Sequence, residues 1–145
     1  MPKTKIYFDM DGTIADLYGV EGWLHCLETS NPHPYATARP MVNMQRLARK
    51  LNYLQRLGYE IGIISWLSKS GTAEYNEVVA RTKLEWLRVH LGSVQFDEVH
   101  IVAYGTPKQT LGSGILFDDE ARNRDAWGCG AYTPEEIFEV LASLS

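Results

Sequence analysis

Two aspartates one residue apart, Asp9 and Asp11 in KIYFDMDGTIAD, close an apolar run just before Gly12. Clustered carboxylates at such a place suit a hard cation. Mg²⁺ takes oxygen ligands in octahedral geometry, typically one or two protein carboxylates together with water and substrate phosphate oxygens. Two carboxylates can also divide the labour of a displacement, one attacking while the other moves a proton. The structural alternative is an Asp-Gly turn whose second aspartate caps a helix. Ser65 ends EIGIIS, where its hydroxyl and the backbone N–H of Trp66 could hold a phosphoryl oxygen, or where it serves only a turn. Lys108 in YGTPKQT is a lone loop lysine, ordinarily a solvated charge. It gains meaning as the compensating cation of a carboxylate-rich site. Asp118 and Asp119 end GILFDD. Adjacent carboxylates there repel and cost stability unless hydrogen-bonded or metal-bound, although a helix N-cap would account for one of them.

The elements that must position these residues follow from the apolar pattern. Short runs at 5–10, 60–65, 98–103 and 114–118, with a weaker one at 129–132, are bounded by Gly, Asp or Ser and read as buried strands. Met44, Leu47, Leu51 and Leu54 form one helical stripe stopped by Gly58, and Ala80, Leu84, Leu87 and Leu91 form another ahead of Gly92. Thr133-Pro134-Glu135-Glu136 reads as a capping box, with Ile137, Leu141 and Leu144 as the buried face behind it. Alternating strands and helices predict an α/β, Rossmann-like three-layer sandwich around a central parallel sheet. Ligands of such sheets bind outside the carboxyl ends of the strands. Asp9, Ser65, Lys108 and Asp118 each follow a successive strand, and their joint placement there outweighs the structural alternative for any one. Residues 14–40 fit no strand–helix unit: a short helix around Val20–Leu27 precedes a proline-rich loop. They are expected to form a small cap over the first strand's carboxyl end, within a single domain spanning 1–145.

Composition narrows the classes. A chain of 145 residues can bury a full core, and its net charge of −4 gives no general attraction for nucleic acid or anionic membranes. Cys26 and Cys129 have neither metal-type spacing nor a disulfide framework and are expected as buried free thiols. With no leader segment and no run long enough to span a bilayer, the expectation is a soluble cytoplasmic protein without a membrane partner.

DMDGT, the strand-ending Ser65, Lys108 and FDD resemble, in order and spacing, the four motifs of the haloacid dehalogenase (HAD) superfamily of phosphohydrolases. The resemblance covers most of the chain outside 14–40. PMVNMQRLARKLNYLQRLGYEIGIISW, Lys83 with Trp86 in KLEWL, and PKQTLGSGILFDDEARN are similar to the 5′(3′)-deoxyribonucleotidases, which carry a larger helical cap. YEIGIISWLSKSGTAEYNEVVARTKLEWL is similar to the 3′-phosphatase domain of phage polynucleotide kinases. The resemblance implies a Mg²⁺-dependent phosphatase working through an aspartyl-phosphate. Asp9 would be the nucleophile and Asp11 the general acid and then base, kept protonated at the start by neighbouring carboxylates. Ser65, Trp66 and Lys108 would bind phosphate. Mg²⁺ would be held by Asp9, the backbone carbonyl of Asp11, and Asp118. Asp119 is expected to position Lys108 or a metal-bound water. Lys83 is expected as support, a solvated helical charge being its alternative.

The implied substrate is a small phosphorylated molecule, a nucleotide or deoxynucleotide monophosphate. A 3′-phosphate on a DNA or RNA end is the alternative, and a catalytically idle phosphate-binding module is a third reading. Tyr18, Trp23 and Trp66 are candidates to stack on a base, whereas Trp127 reads as core. Lys69, Arg122 and Arg124 are candidates for a second phosphate or a polynucleotide strand, and Asn123 for fixing the loop after the fourth strand. Small-capped members of the superfamily often borrow a neighbouring subunit to close the site, so a homo-oligomer is one expected form.

Overall fold

The computed structural model describes residues 4–145. In chain order the elements are β1 (Lys5–Phe8), β2 (Ala15–Asp16), α1 (Trp23–Glu28), α2 (His33–Thr37), β3 (Arg39–Pro40), α3 (Met44–Arg56) and β4 (Glu60–Trp66). There follow α4 (Ala73–His90), β5 (Glu98–Val102), β6 (Ile115–Phe117), α5 (Ala121–Trp127), β7 (Ala131–Tyr132) and α6 (Ile137–Ser143). Five strands form a parallel sheet in the order β5-β4-β1-β6-β7. The inner strands are apolar on both faces because both faces are covered. On one side, Leu47, Leu51 and Leu54 of α3, Trp86 and Leu87 of α4, and Ile137 and Leu141 of α6 pack on Ile6, Phe8, Ile61, Ile63 and Phe117. On the other, Tyr7, Ile64 and Leu116 lie under Leu111 and Trp127. This is the expected three-layer α/β sandwich.

Local chemistry sets the ends of these elements. Asn43 caps α3 by accepting from the Arg46 N–H (3.0 Å), and Thr72 caps α4 through the Tyr75 N–H (3.1 Å). Thr133 and Glu136 form the capping box ahead of α6. Within the sheet, Gly62 is required by its neighbour: a Cβ there would lie 2.7 Å from the Tyr7 ring. The ring is held in place by its hydroxyl, which donates to Glu98 Oε1 (3.0 Å).

Three features differ from expectation. Helix α4 begins two turns before Ala80, and its buried face is Tyr75, Val79, Lys83, Trp86 and Leu87. Leu84, expected inside, is 48 % exposed. The stripe is rotated because a lysine occupies a core position and finds its partners across the chain. Cys129 is exposed and Cys26 only half-buried, since Cys129 stands in the turn between α5 and β7 and Cys26 on a helix with no buried residue. The proline-rich loop of the insertion contains a second helix, α2. Pro34 sits in its first turn, where the missing N–H costs nothing.

The insertion is fastened at both ends. Its flanks pair as the antiparallel ladder β2–β3, with Ala15 opposite Pro40 and Asp16 opposite Arg39. Leu17 and Tyr35 pack on Tyr75 and Val79 of α4. The Tyr75 hydroxyl donates to the Asn31 carbonyl (3.1 Å), and Trp86 Nε1 to that of Ala38 (2.8 Å). No described helix is long and apolar enough to cross a membrane.

Candidate active site

Strand β1 delivers Asp9 to the carboxyl edge of the sheet, where its backbone N–H donates to the Phe117 carbonyl (2.9 Å). The chain then turns at Gly12, whose φ of 81° lies in the left-handed region. A side chain there would collide with the Asp119 carboxylate. Three successive amides, Thr13, Ile14 and Ala15, converge on the Met10 carbonyl (2.9–3.1 Å) and fix the turn. Thr13 Oγ1 donates to Asp9 Oδ2 (3.1 Å) and lies 3.4 Å from Asp119 Oδ1.

Lys108 is 2 % exposed and joins two strand ends, donating to Asp9 Oδ1 (2.9 Å) and Asp118 Oδ2 (2.7 Å). Asp118 is held from several sides. Its Oδ1 accepts the Glu120 N–H (2.9 Å), its Oδ2 accepts Asn123 Nδ2 (3.2 Å), and its carbonyl accepts Arg124 Nη1 (2.9 Å). Asn123 therefore fixes the loop after β6, and Arg124 is spent on the backbone. Carboxylate oxygens of Asp9, Asp118 and Asp119 lie within 4.8 Å of one another. Such an all-oxygen donor set fits a hard divalent cation. Asp119 touches Thr13 and not Lys108, so of its two expected roles, positioning the lysine or a metal-bound water, the first is not met.

Burial and crowding of like charge set the electrostatics. Burial, then Asp9, raises the Asp118 carboxyl against the opposing pull of Lys108. Burial, then Asp9 and Asp118, pushes Asp119 up to about 8. The carboxyls that this cluster raises are thus Asp118 and Asp119. Burial lowers Lys108, but Asp9 and Asp118 outweigh it and leave the ammonium above its ordinary value.

A second buried lysine stands behind the first. Lys83 is 1 % exposed, and its Nζ donates to Asp11 Oδ2 (2.8 Å), Ser65 Oγ (2.7 Å) and the Trp66 carbonyl (2.7 Å). All three ammonium donors are used, and the Tyr35 ring lies 5.2 Å from Nζ. Lys83 is therefore no solvated charge. Ser65, read as a phosphate ligand, is wholly buried and engages Lys83.

In front of these groups lies a cavity of about 430 Å³. Asp9, Asp11, Lys108 and Asp118 form its floor, Tyr18, Trp23, Leu24 and Tyr35 its insertion side, and Trp66, Lys69 and Tyr104 the facing side. Tyr18 and Trp23 meet edge-on at 5.0 Å between centroids, and Trp66 and Tyr104 lie 4.9 Å apart. Trp66 is steadied by its Nε1 bond to the Thr106 carbonyl (2.8 Å) and by Arg122 over its ring (4.8 Å). Burial, and then Asp11, raises the hydroxyls of Tyr18 and Tyr35, so both remain neutral donors. Trp127 packs on Tyr7 and bonds the Gly114 carbonyl, away from the cavity. Thr13, Tyr35 and Tyr104 belong to the site without having been singled out in the sequence. Only Thr13 left a signal there, as the last residue of DMDGT.

No family model matches the chain, and no curated protein matches it in sequence. Among solved structures it is similar to D,D-heptose 1,7-bisphosphate phosphatase from B. bronchiseptica complexed with magnesium and phosphate. The TM-score is 0.58 at 10 % identity, and the match covers 97 % of each chain. The corresponding phosphatase from Burkholderia thailandensis aligns with a TM-score of 0.51 at 12 % identity, over 86 % of this chain and 71 % of the other. At such identities the likeness establishes a shared fold, the HAD-like α/β architecture expected from the motifs. Neither of these neighbours is a nucleotidase or a polynucleotide kinase.

Proposed function

We propose that the chain is a Mg²⁺-dependent phosphomonoesterase acting through an aspartyl-phosphate on Asp9, with a nucleoside monophosphate as its substrate class. The observation that carries this reading is the Lys108 ammonium held between Asp9 and Asp118 on the floor of an aromatic cavity. The fold shared with a phosphatase complexed with magnesium and phosphate supports it.

Asp9, Asp118 and Asp119 would hold the metal, together with the Asp11 backbone carbonyl. When bound, Mg²⁺ supplies charge neutralisation for the phosphate. An Asp9 carboxylate oxygen attacks phosphorus in line, so the Asp9–phosphorus bond forms as the ester P–O bond breaks. The departing alkoxide takes a proton from Asp11. Water then attacks the aspartyl-phosphate and gives a proton back to Asp11, which releases phosphate and restores Asp9. Lys108 offsets the negative charge gathered at the nucleophile. Lys83 holds Asp11 through Oδ2, which leaves Oδ1 free to face the leaving group. Ser65 anchors Lys83, and the Trp66 N–H remains the proposed donor to a phosphoryl oxygen.

The cavity has the size of a small-molecule site. Its two aromatic pairs offer faces on which a base can stack. A 3′-phosphorylated polynucleotide end is the second reading, favoured by exposed Lys69 at the cavity wall. Phosphate release with Mg²⁺ separates the two when deoxynucleoside monophosphates are compared with a 3′-phosphorylated oligonucleotide. Preference for the monomers is expected, and Asp9→Asn should be silent on both. Equal trace release by wild type and Asp9→Asn would remove the hydrolase reading for these substrates.

A further inference from the structure

The net charge of −4 conceals a local excess of the opposite sign. Helix α3 carries Arg46, Arg49, Lys50 and Arg56 and has no Asp or Glu. Arg46, Arg49, Tyr53 and Arg56 follow one another three or four residues apart, with Lys50 four beyond Arg46, and lie on a side of the helix apart from Leu47, Leu51 and Leu54. Among the described residues, none of the four cations pairs with a carboxylate. Arg46, Arg49 and Lys50 instead line a depression of about 420 Å³ whose remaining walls are Tyr53, Phe138 and Ala142. The Arg46 guanidinium stands 3.9 Å from the Phe138 ring centroid, and Lys50 Nζ 5.5 Å from that of Tyr53. Lys50 also donates to the Ser145 hydroxyl (2.7 Å). The hollow is thus lined by three cations and two flat rings, with no acid among its walls.

We infer that this α3–α6 face is a binding site for single-stranded nucleic acid, separate from the cavity over Asp9. A strand offers what the hollow is built to meet: regularly spaced phosphates for Arg49 and Lys50 as well as Arg46, and bases to stack on the Tyr53 ring and on the Arg46 guanidinium that lies over Phe138. An anionic membrane fits less well, because the apolar side of α3 is committed to the core and none of it is left to enter lipid. No acid lines the hollow, and its field acts within a Debye length, so the net charge of the whole chain does not set the sign there. No residue of this face lines the cavity, so the inference stands whether or not Asp9 is a nucleophile.

The test is fluorescence anisotropy of a labelled single-stranded oligonucleotide without a terminal phosphate, titrated with the full chain in EDTA. Saturable binding is expected. With three phosphate contacts its affinity should fall roughly 20-fold between about 50 and 200 mM salt. Arg46→Ala/Arg49→Ala/Lys50→Ala should weaken it at least tenfold, and Phe138→Ala roughly fivefold or more. Circular dichroism checks the fold of each variant, and Arg49→Gln with Phe138→Leu replaces the triple variant if that one unfolds. The inference is overturned if the wild type shows no saturable binding at low salt, or if these variants bind as well as the wild type. It is equally overturned if Lys69→Ala in the cavity abolishes binding, or if phosphatidylserine vesicles bind and the oligonucleotide does not.

Discussion

Replacing Lys83 by methionine keeps most of the volume of a side chain that is 1 % exposed and deletes its charge and three donors. Two consequences can be sized. The first is stability. The lost bonds, at 2.7–2.8 Å, include one to a carboxylate whose side chain is 17 % exposed. Breaking a buried pair from one side costs about 3–5 kcal/mol. Residual access of water to Asp11 places this case near the lower figure, which corresponds to a fall of roughly 10 °C in Tm. The second is catalysis. If Lys83 aims Asp11, its loss removes much of the roughly 10²–10⁴-fold that a general acid contributes. An alkyl phosphate needs a proton on its leaving oxygen, whereas p-nitrophenolate departs without one. Single-turnover release of the alcohol should therefore slow by about 100-fold or more, and release of p-nitrophenol by less than about tenfold. Equal slowing of both substrates by a variant that stays folded, or slowing of neither, would refute the positioning role.

Asp119 links the site to pH. Its folded-state pKa, near 8 against an ordinary 3.8, means that the folded, metal-free protein binds a proton the unfolded chain has released. Stability in EDTA should therefore fall as pH rises from about 4 to 8, and Asp119→Asn should flatten that slope when Tm is read at both ends. Gly62→Ala should lower urea stability by about 1–3 kcal/mol, because the new methyl group meets a tyrosine ring that its Glu98 bond holds in place. An unchanged midpoint would show that the ring yields. Trp23→Ala should raise KM for a nucleoside monophosphate about fivefold or more, the worth of one stacked base, while leaving a small alkyl phosphate unaffected. A matching rise for both substrates would take Trp23 out of base recognition.

What could be read from the sequence was whatever a parallel sheet makes obligatory. Polar residues that follow short apolar runs must gather at one edge, so Asp9, Asp118 and Lys108 could be brought together without coordinates. Lys83 was harder to place, because its acceptors lie elsewhere: Asp11 is 72 residues away in sequence. Periodicity treats lysine as surface, and so it rotated α4 toward Ala80 and Leu84. The depth of Ser65 was hidden for the same reason, since a strand-ending serine looks alike whether it faces a ligand or a buried ammonium. The basic face of α3 was fully written in RLARKLNYLQR, but a sum over the chain erased it. Only the packing of α6 alongside turned that run into a hollow with walls.

The β2–β3 ladder has a bearing on how such a protein can change. Residues 17–38 leave and rejoin the body at adjacent rungs, so their two ends are already closed by pairs outside the excursion itself. Lengthening a flexible connection between fixed ends is cheap, about 0.6 kcal/mol per doubling. The ladder therefore acts as a socket. Another insert, larger or differently lined, can be grafted between Asp16 and Arg39 while Asp9, Lys108 and Asp118 keep their places on the sheet. On the proposed function, the part of the cavity wall that Tyr18, Trp23 and Tyr35 supply would be exchangeable, while Trp66 and Tyr104 would stay with the frame that holds Asp9, Lys108 and Asp118.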